Sequence, residues 1–103
     1  MDLAMFFKYL ISTNIYTKED AGIMLRFRFP NNYGASVVKH EGSYGYNEGL
    51  FELGILYDDE LYYGSPIAND IIGHVNSTDI GKILLQIKGL DNHNEELINI
   101  RNK

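Results

Sequence analysis

The chain of 103 residues contains no cysteine, no tryptophan and only two prolines. Without cysteine, disulfide bonds and thiolate chemistry are excluded, and the composition fits a reducing compartment. The apolar run near the N-terminus is broken by Lys8 and is far too short to span a bilayer, while Asp2 stands where a signal peptide needs positive charge. The sequence therefore predicts a cytoplasmic protein without a membrane segment.

Basic residues are also scarce, with nine Lys and Arg against fourteen Asp and Glu, which gives a net charge of −5. The net charge of residues 1–50 is zero, so residues 51–103 carry the whole excess of negative charge. This balance argues against wholesale binding to nucleic acid, where contacts between cations and phosphates supply most of the affinity. It is compatible with a basic protein partner.

The pattern that organises the chain runs from Leu50 to Tyr57. Phe51, Leu53 and Ile55 fall on one face at period two, which predicts a half-buried strand. Alternation or β-branched residues predict three further strands, at residues 24–29, 35–40 and 61–63. The acidic residues 58–60 predict a hairpin tip between the last two strands.

One helix is predicted after these strands, over residues 77–88. Its apolar residues recur at spacings of three and four, Ser77 is its expected N-cap, and Gly89 is placed to end it. The predicted fold is therefore α+β: a four-stranded antiparallel meander, covered on one face by a C-terminal helix. The predicted organisation is an N-terminal extension (residues 1–22), a core domain (residues 23–90) and a polar tail (residues 91–103).

The N-terminal extension carries Leu3, Phe6, Phe7 and Leu10 at helical spacing, which predicts a short amphipathic helix. Its apolar side chains must either pack on the sheet or bury against another copy of the chain. Because two-fold dimers are the commonest closed assembly, we expect a homodimer to which this segment contributes contacts.

Signatures of catalysis and of metal binding are missing from the sequence. The glycine-rich segment 41–49 has no Lys followed by Ser or Thr and precedes a strand, so it matches neither phosphate-binding fingerprint. His40, His74 and His93 are far apart, and residues 58–60 do not form a calcium loop. The sequence predicts a protein that is not an enzyme and needs no metal or cofactor.

Two sets of residues are candidates for contact with a protein partner. Tyr44 and Tyr46 stand among glycines in the loop before the central strand, and tyrosine suits surfaces that bind. The acidic turn Asp58-Asp59-Glu60 suits a basic partner.

An alternative is a site for single-stranded nucleic acid or a nucleotide. Arg26, Arg28 and either Lys39 or His40 lie on adjacent predicted strands, where cations beside tyrosines meet the needs of such a site. The sequence favours the competing interpretation, in which Arg26 and Arg28 pair with Glu52 and neighbouring acids across the sheet.

Several segments together resemble a family of small proteins encoded by tailed phages and prophages. The resemblance covers about residues 24–90 and rests on Asn32-Tyr33-Gly34-Ala35-Ser36-Val37-Val38, Ser43-Tyr44-Gly45, Gly49-Leu50-Phe51-Glu52-Leu53-Gly54-Ile55-Leu56, Tyr63 with Pro66-Ile67, and Asp70-Ile71-Ile72-Gly73. It implies a phage accessory protein. Such proteins often bind and disable a host system, so the expected target is a host defence protein, as for anti-CRISPR proteins, or a replication protein.

Overall fold

The computed structural model describes residues 3–16 and 21–91 of the chain. The predicted tail, apart from Asp91, lies outside the described residues. The elements are a 3₁₀ helix (Leu3–Tyr9), strands β1 (Leu10–Tyr16), β2 (Gly22–Arg28), β3 (Tyr33–His40), β4 (Phe51–Tyr57), β5 (Glu60–Leu61) and β6 (Ile72–Val75), a 3₁₀ turn (Tyr46–Glu48) before β4, and helix α1 (Ser77–Lys88). None of the helices in this part of the chain is long and apolar enough to cross a membrane.

The strands form one antiparallel sheet in which β1, β2, β3 and β4 are neighbours in chain order. Both β5 and β6 pair with the remaining edge of β4, β5 at its end and β6 at its start. The period-two pattern from which β2 and β4 were predicted reflects the burial of one face of each strand. Phe27, Leu53 and Ile55 point into the core, and Arg26 and Glu52 alternate with them. The antiparallel meander is thus confirmed from β2 to β5.

The prediction of four strands is wrong, since β1 and β6 belong to the same sheet. Strand β1 follows directly on the 3₁₀ helix, and its apolar residues Leu10, Ile11 and Ile15 do not alternate. The ladder between β1 and β2 shifts register between Leu10 and Ser12, so a bulge interrupts the period of two. Strand β6 has only four residues and a register shift of its own, beside a positive φ of 56° at His74. Both irregularities conceal a strand from pattern analysis.

Helix α1 covers one face of the sheet and has the predicted length. Its buried residues include Ile80, Leu84 and Ile87, which form the expected apolar stripe. The prediction of Ser77 as N-cap is wrong by one position: the side chain of Asn76 accepts a hydrogen bond of 2.8 Å from the amide of Asp79. Asn and Ser are both favourable N-cap residues, so the sequence alone did not decide between Asn76 and Ser77.

The core lies between α1 and the sheet and is extended by the N-terminal 3₁₀ helix. Phe6 of this helix is buried and meets Phe29 edge to face, with the ring centroids 6.2 Å apart. Tyr9 contacts the same ring at 5.1 Å. The helical N-terminal segment thus packs on the core through Phe6, whereas Met5 and Phe7 remain exposed.

Candidate protein-binding face

The face of the sheet that points away from α1 carries both charged and small side chains. Register places Arg26 opposite Ser36, and Ser36 opposite Gly54, in one row across three strands. Side chains alternate along a strand, so Arg28 and Val38 share this face with them. We call this surface the outer face and define it by Arg26, Arg28, Ser36, Val38, Glu52, Gly54, Leu61 and Ile71, together with the two loops at its border, the tyrosine loop (residues 41–49) and the acidic turn (residues 58–60).

The centre of the outer face is a shallow apolar depression. A Cβ atom on Gly54 would lie 2.7 Å from Leu61 Cδ2 and 3.0 Å from Ile71 Cδ1, so the missing side chain lets both residues approach the sheet. Together with Ser36, Val38 and Glu52, these residues line a cavity of about 130 Å³. Leu61 remains 52% exposed, which leaves an apolar side chain at the rim of this cavity.

The acidic turn borders the outer face at the end of β4. Tyr57 pairs with Glu60, which leaves Asp58 and Asp59 as a two-residue hairpin loop. Both have positive φ, 51° and 68°, as in the type I′ turn whose twist matches that of paired strands. The predicted hairpin tip is therefore confirmed.

Asp59 is held by Arg28, which joins the acidic turn to the arginine side of the outer face. Arg28 Nε donates to Asp59 Oδ1 at 3.0 Å, and its Nη2 donates to Oδ2. The hydrogen bond from Arg28 holds the pKa of the Asp59 carboxyl below its ordinary value, against a smaller opposing effect of desolvation. The same bond and the charge of Asp59 raise the pKa of Arg28. The acid that pairs with Arg28 is thus Asp59 rather than Glu52.

The tyrosine loop borders the outer face beside the start of β4. Its backbone is fixed by Ser43, whose Oγ donates to the carbonyl of His40 at 2.7 Å. Tyr44 lies against β6, because a Cβ on Gly73 would come within 2.7 Å of Tyr44 Cβ. Tyr44 is 64% exposed, while Tyr46 is half-buried in the 3₁₀ turn. The loop and the acidic turn are separated by the length of β4, roughly 20 Å at ~3.3 Å per residue.

The four candidate cations for nucleic acid do not form one cluster. Lys39 alternates onto the face covered by α1, and its Nζ lies 5.1 Å from the centroid of the Phe51 ring. His40 pairs with Gly22, at the far end of the ladder from Arg28, and its Nδ1 lies 2.9 Å from the carbonyl of Glu41. Arg28 is engaged by Asp59. Only Arg26 and Arg28 of this set are neighbours on the outer face.

A second cavity, which the sequence did not indicate, lies beside the end of α1. Three tyrosines, Tyr33, Tyr57 and Tyr62, contact one another there with ring centroids 5.0 to 6.0 Å apart. Two of them, Tyr33 and Tyr62, line a cavity of about 310 Å³ together with residues that include Leu90 and Asp91. No sequence spacing indicates this cluster, since its members come from β3, β4 and the segment after β5.

No three His, Asp or Glu side chains within residues 3–16 and 21–91 come close enough together to hold a metal ion. No protein-family model, curated protein or solved structure matches this chain. Evidence for a function therefore comes from the sequence of the chain and from its geometry.

Proposed function

We propose that this chain is a non-enzymatic accessory protein of a tailed phage or prophage. In this proposal it acts in the cytoplasm of the infected bacterium, where it binds and inhibits a host defence or replication protein. The observation that supports binding is the outer face: a shallow apolar depression with the exposed Leu61 at its rim and charges of both signs around it. The resemblance of residues 24–90 to small phage proteins supports the biological setting.

The outer face has the anatomy expected of a protein interface. Binding energy usually concentrates in a few aromatic or apolar anchors, surrounded by a polar rim. Leu61 and Tyr44 supply exposed anchors, and Glu52 and Arg26 supply the rim. The distance of roughly 20 Å between the tyrosine loop and the acidic turn suits an interface of ~800 Å² on each partner.

The charge of the acidic turn favours a basic partner. Asp58 and Glu60 are exposed, whereas Asp59 already has its partner in Arg28. Exposed charges at the border of an interface accelerate encounter with a partner of opposite sign. Host proteins that handle nucleic acid are commonly basic, and they fit this description.

The experiment compares proteins captured from a bacterial lysate by wild-type and variant chains. Leu61→Asp and Tyr44→Asp place a charge on each anchor of the outer face, and Leu85→Asp is the matched control because Leu85 is 46% exposed on α1. We expect one host protein to be retained by the wild type and by Leu85→Asp, and to be lost from both outer-face variants. The binding is then measured with that purified host protein, together with its activity.

Retention of the same host protein by all four chains would contradict binding through the outer face. Capture without any change in the activity of the host protein would contradict inhibition.

A single-strand-binding role has less support, because Arg28 is neutralised by Asp59 and Lys39 lies on the other face. We expect no salt-dependent retention of the protein on single-stranded DNA. Retention that is lost in Arg26→Ala would instead favour that role. Turnover of a nucleotide by the purified protein would contradict a non-enzymatic function.

A further inference from the structure

Strand β1 is an edge of the sheet, because among the described residues it pairs only with β2. Its other side presents backbone N–H and C=O groups that can template a further strand. Proteins commonly protect such edges with charged residues or proline, and Leu10–Tyr16 contains neither. The one irregularity is the bulge between Leu10 and Ser12, which leaves Ser12 to Tyr16 in regular register with β2.

The same edge carries exposed apolar side chains. Ile15 is 70% exposed and Ile11 is 45% exposed. Met5 and Phe7, in the 3₁₀ helix that leads directly into β1, are exposed as well. Exposed apolar side chains on the open edge strand itself, and in the helix that leads into it, mark an interaction surface rather than scattered surface residues.

We propose that β1 is a self-association edge, at which two copies of this chain pair antiparallel across a two-fold axis through Thr13. The sequence of β1 is self-complementary in this register. Ser12 pairs with Asn14 of the second copy, and Ile11, the extra residue of the bulge, lies beside Ile15 of the second copy. Apolar residues therefore meet apolar residues and polar residues meet polar ones, as cross-strand pairing requires. The two sheets become one continuous sheet with β1 of each copy at its centre.

Charge identifies a second copy, rather than a basic protein, as the occupant of this edge. Two chains that each carry −5 repel one another, so self-association needs a surface without acidic residues. Strand β1 has no charged residue, and the nearest one in the preceding helix, Lys8, lies with its Nζ 5.2 Å from the Tyr9 ring centroid. A basic partner finds no carboxylate on β1, whereas an identical uncharged strand meets no repulsion there.

This edge is distinct from the outer face, so each proposal can fail without the other. The first test is the mass in solution, by light scattering on a size-exclusion column at high micromolar concentration. We expect the wild type at twice the chain mass of 11.8 kDa. Ile15→Lys should reduce the mass to that of one chain, because it places a charge beside Ile11 of the second copy and so removes the apolar contact at both ends of the paired strands. Leu61→Lys, an equivalent change at an exposed residue of the outer face, should remain dimeric.

The second test measures the register, and the absence of cysteine from the chain makes it clean. In Thr13→Cys the two thiols face each other across the axis, within the Cα separation of ~4.4 to 6.8 Å that a disulfide needs. Copies of Ile11→Cys are offset by four residues, about 13 Å at ~3.3 Å per residue, as are copies of Ile15→Cys. We expect oxidation to cross-link Thr13→Cys alone, and an equal mixture of Ile11→Cys and Ile15→Cys to cross-link as heterodimers.

A wild-type chain that has the mass of a monomer at high micromolar concentration would overturn the proposal. So would a dimer that persists in Ile15→Lys, or one in which Thr13→Cys does not cross-link. Circular dichroism and thermal melts show whether each variant is folded, which we expect because Thr13, Ile11 and Ile15 are all exposed.

Discussion

Asn31 connects two parts of the fold through one side chain. Its Nδ2 lies within 2.9 Å of the carbonyls of Ile87 and Leu90, at the end of α1, and its Oδ1 accepts from the amide of Tyr33 at 3.0 Å. Carbonyls at the end of a helix have no partner within the helix, and a side chain from elsewhere can satisfy them. Asn31 therefore fixes the end of α1 to the turn between β2 and β3.

Replacing Asn31 tests this connection. Asn31→Ala should lower the free energy of unfolding by about 1–3 kcal/mol, because the carbonyls of Ile87 and Leu90 lose a side-chain donor and the amide of Tyr33 loses a side-chain acceptor. Asn31→Asp should be at least as destabilising at neutral pH, since it loses the donor and places a negative charge at the negative end of the helix dipole. Urea denaturation measures both, with Asn47→Ala at an exposed position of the 3₁₀ turn before β4 as the control. Equal stability of Asn31→Ala and the control would contradict the role of Asn31.

Leu53 is fully buried at the centre of the core. Leu53→Ala should therefore reduce the free energy of unfolding by roughly 2–5 kcal/mol, through lost burial and the cavity that remains. Leu61→Ala is the matched control, because the same truncation at a 52% exposed position removes little buried surface. Thermal melts that show equal losses for both variants would contradict the central place of β4 in the core.

At the scale of the element, the start of α1 depends on Asn76. Asn76→Ala should destabilise the protein by about 0.5–2 kcal/mol, as removal of an N-cap does. Ser77→Ala is the matched control at the neighbouring position, which lies inside the helix and should change stability much less. Chemical denaturation distinguishes the two residues, and a larger loss for Ser77→Ala would restore Ser77 as the cap.

The acidic turn should show a pH dependence that belongs to Asp59. Its pKa is lower in the folded protein than in the unfolded chain, so its contribution to stability is present above the unfolded pKa of about 3.9 and is lost as the pH falls through the folded pKa. The melting temperature of Asp59→Asn should therefore fall less steeply below about pH 4 than that of the wild type. The melting temperature of Asp58→Asn, changed at the other positive-φ position of the turn, should fall as steeply as that of the wild type.

The effect of Asp59→Asn should be small, because exposed ion pairs are strongly screened by solvent and salt. Identical pH profiles for both variants would show that the ion pair with Arg28 does not set the titration of Asp59.

At the scale of the whole molecule, the proposed interface on the outer face contains two kinds of contact, whose roles can be separated by kinetics. Asp58→Lys should slow association and weaken its salt dependence, because the exposed acid attracts a basic partner over distance. Tyr44→Ala should instead accelerate dissociation, since anchors act in the bound state. Surface plasmon resonance with the captured host protein measures both rates. Asp79→Lys on α1 is the matched control for charge.

Rates that stay within about twofold of the wild type in both outer-face variants, well under the tenfold that ~1.4 kcal/mol represents, would exclude this face as the interface.

Elements whose residues repeat with a clear period could be predicted from the sequence alone. Strands β2 and β4 and helix α1 each place apolar residues at the spacing that one buried face requires, so the α+β class and the meander were predictable. The hairpin tip at residues 58–60 was predictable for a similar reason, because three acidic residues stand there between two predicted strands. Each of these features depends on residues that are close together in the chain.

Contacts between distant residues were set by the tertiary structure. Arg28 and Asp59 are thirty-one positions apart, and Asn31 reaches α1 across more than fifty, so no local pattern connects them. The bulges in β1 and β6 break the period of two, because each of these strands contributes one extra residue that has no partner in the ladder. The unpaired residue is tolerated because the rest of the strand pairs with its neighbour in the sheet. The outer face depends on that pairing: strand register places Arg26 in line with Gly54, and Gly54 admits Leu61 and Ile71 only once β5 and β6 lie along the edge of β4.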